Sequence, residues 1–197
     1  MAGFLFWRPT AAMNRARPRP DQRRTSTTPQ RQAMPPSPAV RSDAAIPPSL
    51  GLFYYEVTVL SKGRDGFIGI GLSTMSVSLI RLPGWERDSF GYHGDDGNKF
   101  SSSGIGVPYG PTFTSGDIIG CGYDTIHGRI FYTKNGHSLG VAFSDVRPLA
   151  YHPTVGMRTP GDTLLVTFGQ RPFAYDIDRD ADELRMDIEL VRGASHT

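Results

Sequence analysis

Cysteine is nearly missing from these 197 residues. The single Cys121 excludes an internal disulfide framework and any Cys-based zinc site, and its apolar neighbours Ile118 and Ile119 mark it as a buried thiol in a reducing compartment. Long hydrophobic runs are missing as well: none approaches the roughly 18 to 20 apolar residues that a membrane span requires. The apolar start Ala2-Gly3-Phe4-Leu5-Phe6-Trp7 stops at Arg8-Pro9, and the Arg cluster follows rather than precedes it, the reverse of a secretory signal. A cytosolic or nuclear protein is expected. Hydrophobic residues are scarce at 38%, whereas Gly (23) and Pro (16) are plentiful, which favours turns and disfavours a helix bundle. No internal repeat of fixed period is present.

What is there fits one globular domain with flanking segments. A formal charge of +2 conceals an asymmetry. Residues 1–44 carry eight Arg and two Asp, net +6, and residues 45–197 carry 13 basic and 17 acidic groups, net −4. Phosphate backbones are bound by concentrated Lys and Arg, and these sit outside the body, so nucleic acid is not the expected partner. Residues 8–48 hold nine of the sixteen prolines, with Arg, Ser, Thr and Gln between them. Such a composition buries too little surface to offset chain entropy and predicts a disordered Arg/Pro-rich tail over residues 1–44. Its Pro35-Pro36-Ser37-Pro38 stretch has polyproline character, and its Arg residues are the ones that would contact RNA or acidic membranes.

From Leu52 the pattern changes. Phe53, Tyr55, Val57 and Val59 alternate with Tyr54, Glu56 and Thr58, the period of a strand with one buried face. Phe67 to Leu72 and Asp117 to Tyr123 read as two more strands. Arg129 to Thr133 and His137 to Phe143 flank Lys134-Asn135-Gly136, whose Asn-Gly pair supplies the positive φ angles of a type I′ hairpin turn. In the return strand Leu139, Val141 and Phe143 should point one way, as should Leu164, Val166 and Phe168 later. Recurring strands without helices between them imply an antiparallel sandwich. Only after Asp178, a candidate cap, do Ala181, Leu184, Ile188 and Val191 show a helical period, giving a short peripheral helix and tail over residues 179–197.

Motifs for chemistry are thin. Gly66, Gly69 and Gly71 (GxxGxG) and Gly104, Gly106 and Gly110 (GxGxxxG) miss the dinucleotide spacing and read as bulge and turn glycines. Asp95-Asp96-Gly97 lacks the alternating oxygens of a calcium loop, with Ser103 where the Glu should stand. The five histidines have no zinc-site spacing, and Ser103, His93 and Asp95 lack a nucleophile elbow. No metal, cofactor or catalytic residue is expected. The alternative from another class is a metal-dependent hydrolase using His93 with Asp95 and Asp96. The stretch Arg81 to Gly97 is instead dense in Arg, Trp and Tyr, the residue types that dominate interface energies, with Trp85 itself read as core filling.

At this stretch the sequence resembles a SPRY domain, and within that family it is similar to the Ran-binding protein M group. The resemblance is carried by Gly51-Leu52-Phe53-Tyr54-Tyr55-Glu56-Val57, Ser61-Lys62-Gly63-Arg64-Asp65-Gly66, Gly69-Ile70-Gly71-Leu72, Arg81-Leu82-Pro83-Gly84-Trp85 and Gly91-Tyr92-His93-Gly94-Asp95-Asp96-Gly97. It continues through Tyr109-Gly110-Pro111-Thr112-Phe113, Gly116-Asp117, Phe131-Tyr132-Thr133-Lys134-Asn135-Gly136 and Phe168-Gly169-Gln170. It implies a bent antiparallel β-sandwich of the concanavalin-like jelly-roll type, with a SPRY domain over residues 45–178. It also implies a non-catalytic module whose rim loops bind peptide segments of other proteins, with no small-molecule substrate. In the Ran-binding protein M group the domain is the adaptor or substrate-recruiting part of a ubiquitin ligase scaffold. Related domains in plant-parasitic nematodes are secreted effectors. Carried over by position, the rim comprises Leu79, Arg81, Tyr92, His93, Asp95, Arg158 and Thr159. Arg158-Thr159-Pro160 stands where other peptide-binding members carry Val-Trp-Gly. The family's first strands are expected to be missing or replaced by the tail, which would leave a sheet edge bare and prone to self-association.

Overall fold

The computed structural model describes residues 13–15 and 39–194. In chain order the elements are β1 (Met13–Arg15), β2 (Ala39–Ser42), β3 (Leu52–Lys62), β4 (Ile68–Thr74), β5 (Ser89–His93), β6 (Asn98–Ser101), β7 (Val107–Pro108), β8 (Ile118–Asp124), β9 (Arg129–Lys134), β10 (His137–Phe143), β11 (Tyr151–Met157), β12 (Asp162–Thr167) and α1 (Ile177–Ala194). Every strand pairing is antiparallel, in a seven-stranded sheet ordered β1-β2-β11-β4-β5-β6-β7 and a five-stranded sheet ordered β10-β9-β8-β3-β12. The expected sandwich is therefore present.

Strand alternation builds the core. Tyr55, Val57 and Val59 of β3, Ile70 and Leu72 of β4, Ile119 and Cys121 of β8, and Ile130 and Tyr132 of β9 form one buried cluster. Each fully buried aliphatic or aromatic side chain contributes about 1.5 to 3 kcal/mol. Cys121 is a buried free thiol within it, and that burial pushes its ionisation up.

The other face of β3 departs from the one-face pattern, because Leu52, Tyr54 and Glu56 are buried too. A second cluster covers them: Tyr175, Ile177, Ala181 and Leu184 pack on Leu52 and Tyr54. Glu56 holds this layer down. Its carboxylate accepts the backbone N–H groups of Ala174 and Tyr175 and the Tyr54 hydroxyl, each at 3.0 Å. Three donors replace the water that a buried carboxylate loses. The helix starts at Ile177, before the expected residue 179, with Asp176 accepting the Arg179 N–H at 3.4 Å as its cap.

The hairpin forms as expected, with positive φ at Asn135 (51°) and Gly136 (78°). The return strand does not keep its alternation. Register shifts on both sides of Val141 and a left-handed Gly140 (φ 81°) turn Val141 outward, 49% exposed, and bring Ala142 inward instead.

The domain begins earlier than expected. Most of the tail placed over residues 1–44 lies outside the described residues, but Ala39–Ser42 form β2, which pairs with β11 through Val40↔Val155 and in turn carries β1. The edge expected to be bare is covered. Arg41, counted among the tail cations, is 8% exposed and fastens the turn after β4. Its Nη1 donates to the carbonyls of Thr74 (2.7 Å) and Val77 (2.9 Å), and its Nη2 to that of Met75 (3.0 Å). A fork of five donors matched to convergent carbonyls is what arginine alone supplies, and the surrounding Pro/Arg composition hid it. We expect Arg41→Ala to lower unfolding stability by about 2 to 3 kcal/mol in urea denaturation with an unchanged m value. A chain starting at residue 45 should in addition self-associate through the exposed β11 edge in light scattering, which the full chain should not do by that route.

Candidate functional site

The connection between β4 and β5, residues 75–88, returns across the outer face of the seven-stranded sheet. After the Arg41-bound turn, the Leu79 carbonyl accepts the Ala39 N–H at 2.8 Å. Leu82, Pro83 and Gly84 then lie flat on a patch of glycines. A Cβ on Gly156 would come within 2.6 Å of Leu82 and 3.0 Å of Pro83, one on Gly69 within 3.0 Å of Pro83, and one on Gly91 would overlap the Pro83 carbonyl. Gly84 itself has φ 94°, a conformation L side chains rarely adopt, and its N–H is taken by the Ser89 hydroxyl. Gly69 and Gly91 are thus close-approach positions in strands. This corrects the expectation that Gly69 and Gly71 are bulge or turn glycines; of that trio, only Gly66 has positive φ (71°).

The clamped connection fixes an aromatic pair. The Nε2–H of His93 donates to the Pro83 carbonyl at 2.9 Å, and the His93 ring stacks on Phe100 with centroids 4.1 Å apart. Trp85 rests against His93 (5.7 Å) and Phe100 (6.3 Å), half-buried rather than fully in the core, and Arg81 lies over its ring at 5.5 Å while reaching Glu86 at 3.5 Å. Ile80 beside it is 57% exposed.

At the same end of the sheet β4 begins, β5 ends and β11 ends, since Met157 pairs with Ile68 and Gly69 with His93. Arg158 follows β11. Its backbone N–H donates to the Phe67 carbonyl at 3.2 Å and its guanidinium lies over the Phe67 ring at 4.8 Å. Its charge also reaches Asp65 and Asp95. Partial burial raises the Asp95 carboxyl above the usual range, and the Arg158 charge acts against that shift. Arg81 and Arg158 therefore present one guanidinium each, stacked on an aromatic ring, at one end of the sheet.

Of the seven residues expected at the rim, Arg81 and Asp95 are exposed and Arg158 is half-buried at this end of the sheet. Leu79 is half-buried and serves through its carbonyl. Thr159 is engaged locally, its N–H and hydroxyl bonded to Asp162 at 2.8 and 3.0 Å. Tyr92 and His93 are misplaced by the sequence reading. Tyr92 is 0% exposed and points between the sheets at Tyr109, Phe113 and Tyr132, and His93 is 2% exposed beneath Trp85. They face opposite ways because neighbours in a strand do, and both faces of β5 are covered. Phe67, Trp85 and Ile80 stand beside Arg158 and Arg81 and were not among the seven. The Arg-Trp proximity was legible in Arg81 to Trp85, but no local signal ties Phe67 to Arg158, which is 91 positions away in sequence.

The His93, Asp95, Asp96 alternative finds no assembled site. His93 is turned to Pro83 and Phe100, while Asp96 bonds the backbone and side chain of Asn98 at 2.9 Å. Among the described residues no cluster of three His, Cys, Asp or Glu side chains could hold a metal ion.

The family profile described as SPRY domain matches residues 52–171. The chain belongs to the SPRY domain family. It is 58% identical over 151 residues to Ran-binding protein 9 of Xenopus tropicalis, covering 77% of this chain and 27% of that protein. Against human Ran-binding protein 9 the identity is 55% over 151 residues (77% and 21% covered), and against the Ran-binding protein M homolog of Arabidopsis thaliana it is 41% over 125 residues (64% and 27%). The chain thus spans between about a fifth and just over a quarter of these relatives' length. A crystal structure of a human SPRY domain superposes with TM-score 0.62 at 30% identity, covering 68% of this chain and 86% of that one. The SPRY domain of human HERC1 shares the fold at TM-score 0.58 and 21% identity, covering 70% and 86%. As a SPRY domain of this kinship the chain is a protein–protein interaction module.

Burial holds the His93 imidazole down to about 4, against 6.5 when free, so the unfolded chain binds a proton that the folded one refuses between those values. Stability should be fully present above pH 6.5 and fall as pH drops toward 4, by an amount of order 3 kcal/mol. His93→Gln should flatten that part of the Tm–pH profile; an unchanged slope would assign the loss to other groups, among them His152, which burial also lowers.

Proposed function

We propose that the end of the seven-stranded sheet carrying Arg81, Trp85, Phe67, Asp95 and Arg158 is a preformed rim that binds extended peptide segments of partner proteins. The observation that carries this reading is the pair of stacked guanidiniums, Arg81 on Trp85 and Arg158 on Phe67, set on backbone that the glycine patch and the Arg41 fork hold in place. Stacking leaves the edge N–H groups of Arg158, and those of Arg81 that do not face Glu86, available to carbonyls or carboxylates, while Ile80 and the ring of Trp85 offer apolar contact. Little side-chain entropy remains to be lost on binding, because both cations already rest on rings.

The module works by recruitment without turnover and takes no small-molecule substrate, cofactor or nucleic acid. By its kinship with Ran-binding protein 9 we propose that it acts as an adaptor or substrate-recruiting domain of a ubiquitin ligase scaffold in the cytoplasm or nucleus. No helix among the described residues is long and apolar enough to cross a membrane.

Selection of a displayed random-peptide library against the full chain should enrich a consensus that binds with a Kd near micromolar, about −8 kcal/mol. Arg81→Ala with Arg158→Ala should weaken those peptides by at least tenfold and leave Tm within about 2 °C, as expected for side chains at an exposed rim. Failure to enrich a consensus, or equal binding by the double variant, would contradict the assignment of the rim.

A further inference from the structure

On the opposite layer, α1 covers only part of the outer face of the five-stranded sheet. Between the helix and β10 runs a cleft of about 300 Å³ whose floor includes Leu52, Phe131 and Val141. Val141 is there because the bulge at Gly140 turns it outward, 49% exposed. One wall is a stripe of α1: Asp180, Glu183 and Asp187, with Leu184 between them, all lining the cleft at the three- and four-residue spacing that keeps side chains on one helical face. Across from them stand Asp124, His127 and Arg129. His127 contacts Asp124 at 2.7 Å, and Asp180 accepts the Tyr175 hydroxyl at 2.8 Å. Four carboxylates of the lining face the guanidinium of Arg129, and Arg179 on α1 lies 3.7 Å from Glu183 and 4.0 Å from Asp180, so that counting both arginines leaves a formal excess of two negative charges at the cleft.

The negative charge is local. Residues 177–194 hold six acidic and three basic side chains, net −3, whereas residues 45–176 hold eleven and ten, net −1. An apolar floor beside an acidic stripe with helical spacing is complementary to one kind of surface. We propose that this groove is a docking site for a basic amphipathic helix of a partner protein, which lays Lys or Arg at i, i+3 and i+7 against the α1 stripe and inserts an apolar side chain toward Phe131 and Leu52. A strand is disfavoured as occupant, because the register shifts in β10 break the continuous ladder that strand addition needs. The site is separate from the Arg81–Arg158 rim and does not depend on it.

The test uses the full 197-residue chain and a synthetic helical peptide of about 18 residues with Lys on one face and Leu on the adjoining face, beside the same peptide with Glu in place of Lys. Amide shift mapping should place the Lys peptide on Phe131, Ser138, Val141 and the Glu183 to Asp187 turn, with affinity falling as salt rises. Glu183→Gln with Asp187→Asn, both on an exposed helix face, should weaken binding by tenfold or more while the helical circular dichroism is retained. The Arg81→Ala, Arg158→Ala variant should bind this peptide as the wild type does. The proposal is overturned if the peptide does not bind, if the Glu peptide binds equally, if the Glu183/Asp187 variant keeps its affinity, or if sedimentation shows a second copy of the chain occupying the groove.

Discussion

The contact on which the rest of this molecule depends is the flat approach of Leu82-Pro83-Gly84 to the glycines of β4, β5 and β11. Hydrogen at Gly69, Gly91 and Gly156 lets a backbone segment lie on a sheet as closely as a neighbouring layer of side chains otherwise would. From that approach follow the His93 bond to Pro83, the seating of Trp85 on His93 and Phe100, and the placing of Arg81 over Trp85. The segment is fastened at its start as well, by Arg41 on the carbonyls of Thr74, Met75 and Val77. A long connection held at both ends behaves as part of the scaffold, and the rim inherits the rigidity of the sheet.

The five-stranded sheet solves a different problem. Its outer face would meet water were it not for residues 173–188, and Glu56 is the polar element that pins that cover. A carboxylate in this position is costly unless every donor is in place, which makes the docking of the 173–175 segment specific as well as favourable. The two sheets thus carry separate outer layers, one built by a connection lying on glycines and one by a helix over Leu52 and Tyr54. Each layer leaves its own surface to solvent, a mixed-charge aromatic rim on one side and an acidic groove on the other.

Local chemistry made much of the fold legible. The Asn135-Gly136 turn, the inward set of β3 and β8, and the buried Cys121 follow from φ preference and alternation alone. What stayed hidden depends on long-range context. β2 lies inside an Arg/Pro-rich stretch whose composition argues for disorder, and only the carbonyls around residue 75 show what Arg41 is for. Tyr54 and Glu56 read as the solvent side of a strand because their cover comes from more than a hundred residues downstream. Arg81 and Arg158 were named by position within a family pattern, and Tyr92 and His93 were carried along with them although β5 is buried on both sides. Phe67 could be joined to Arg158 only through the pairing of β4 with β11.

The most direct measurement is the affinity of a rim-selected peptide for a Gly91→Ala chain. Its added methyl would overlap the Pro83 carbonyl, so the connection must lift while the inter-sheet core stays packed. The account predicts cooperative unfolding retained and peptide affinity reduced by at least tenfold. Wild-type affinity in a folded Gly91→Ala chain would contradict it, since the rim would then owe nothing to the segment lying on the glycines.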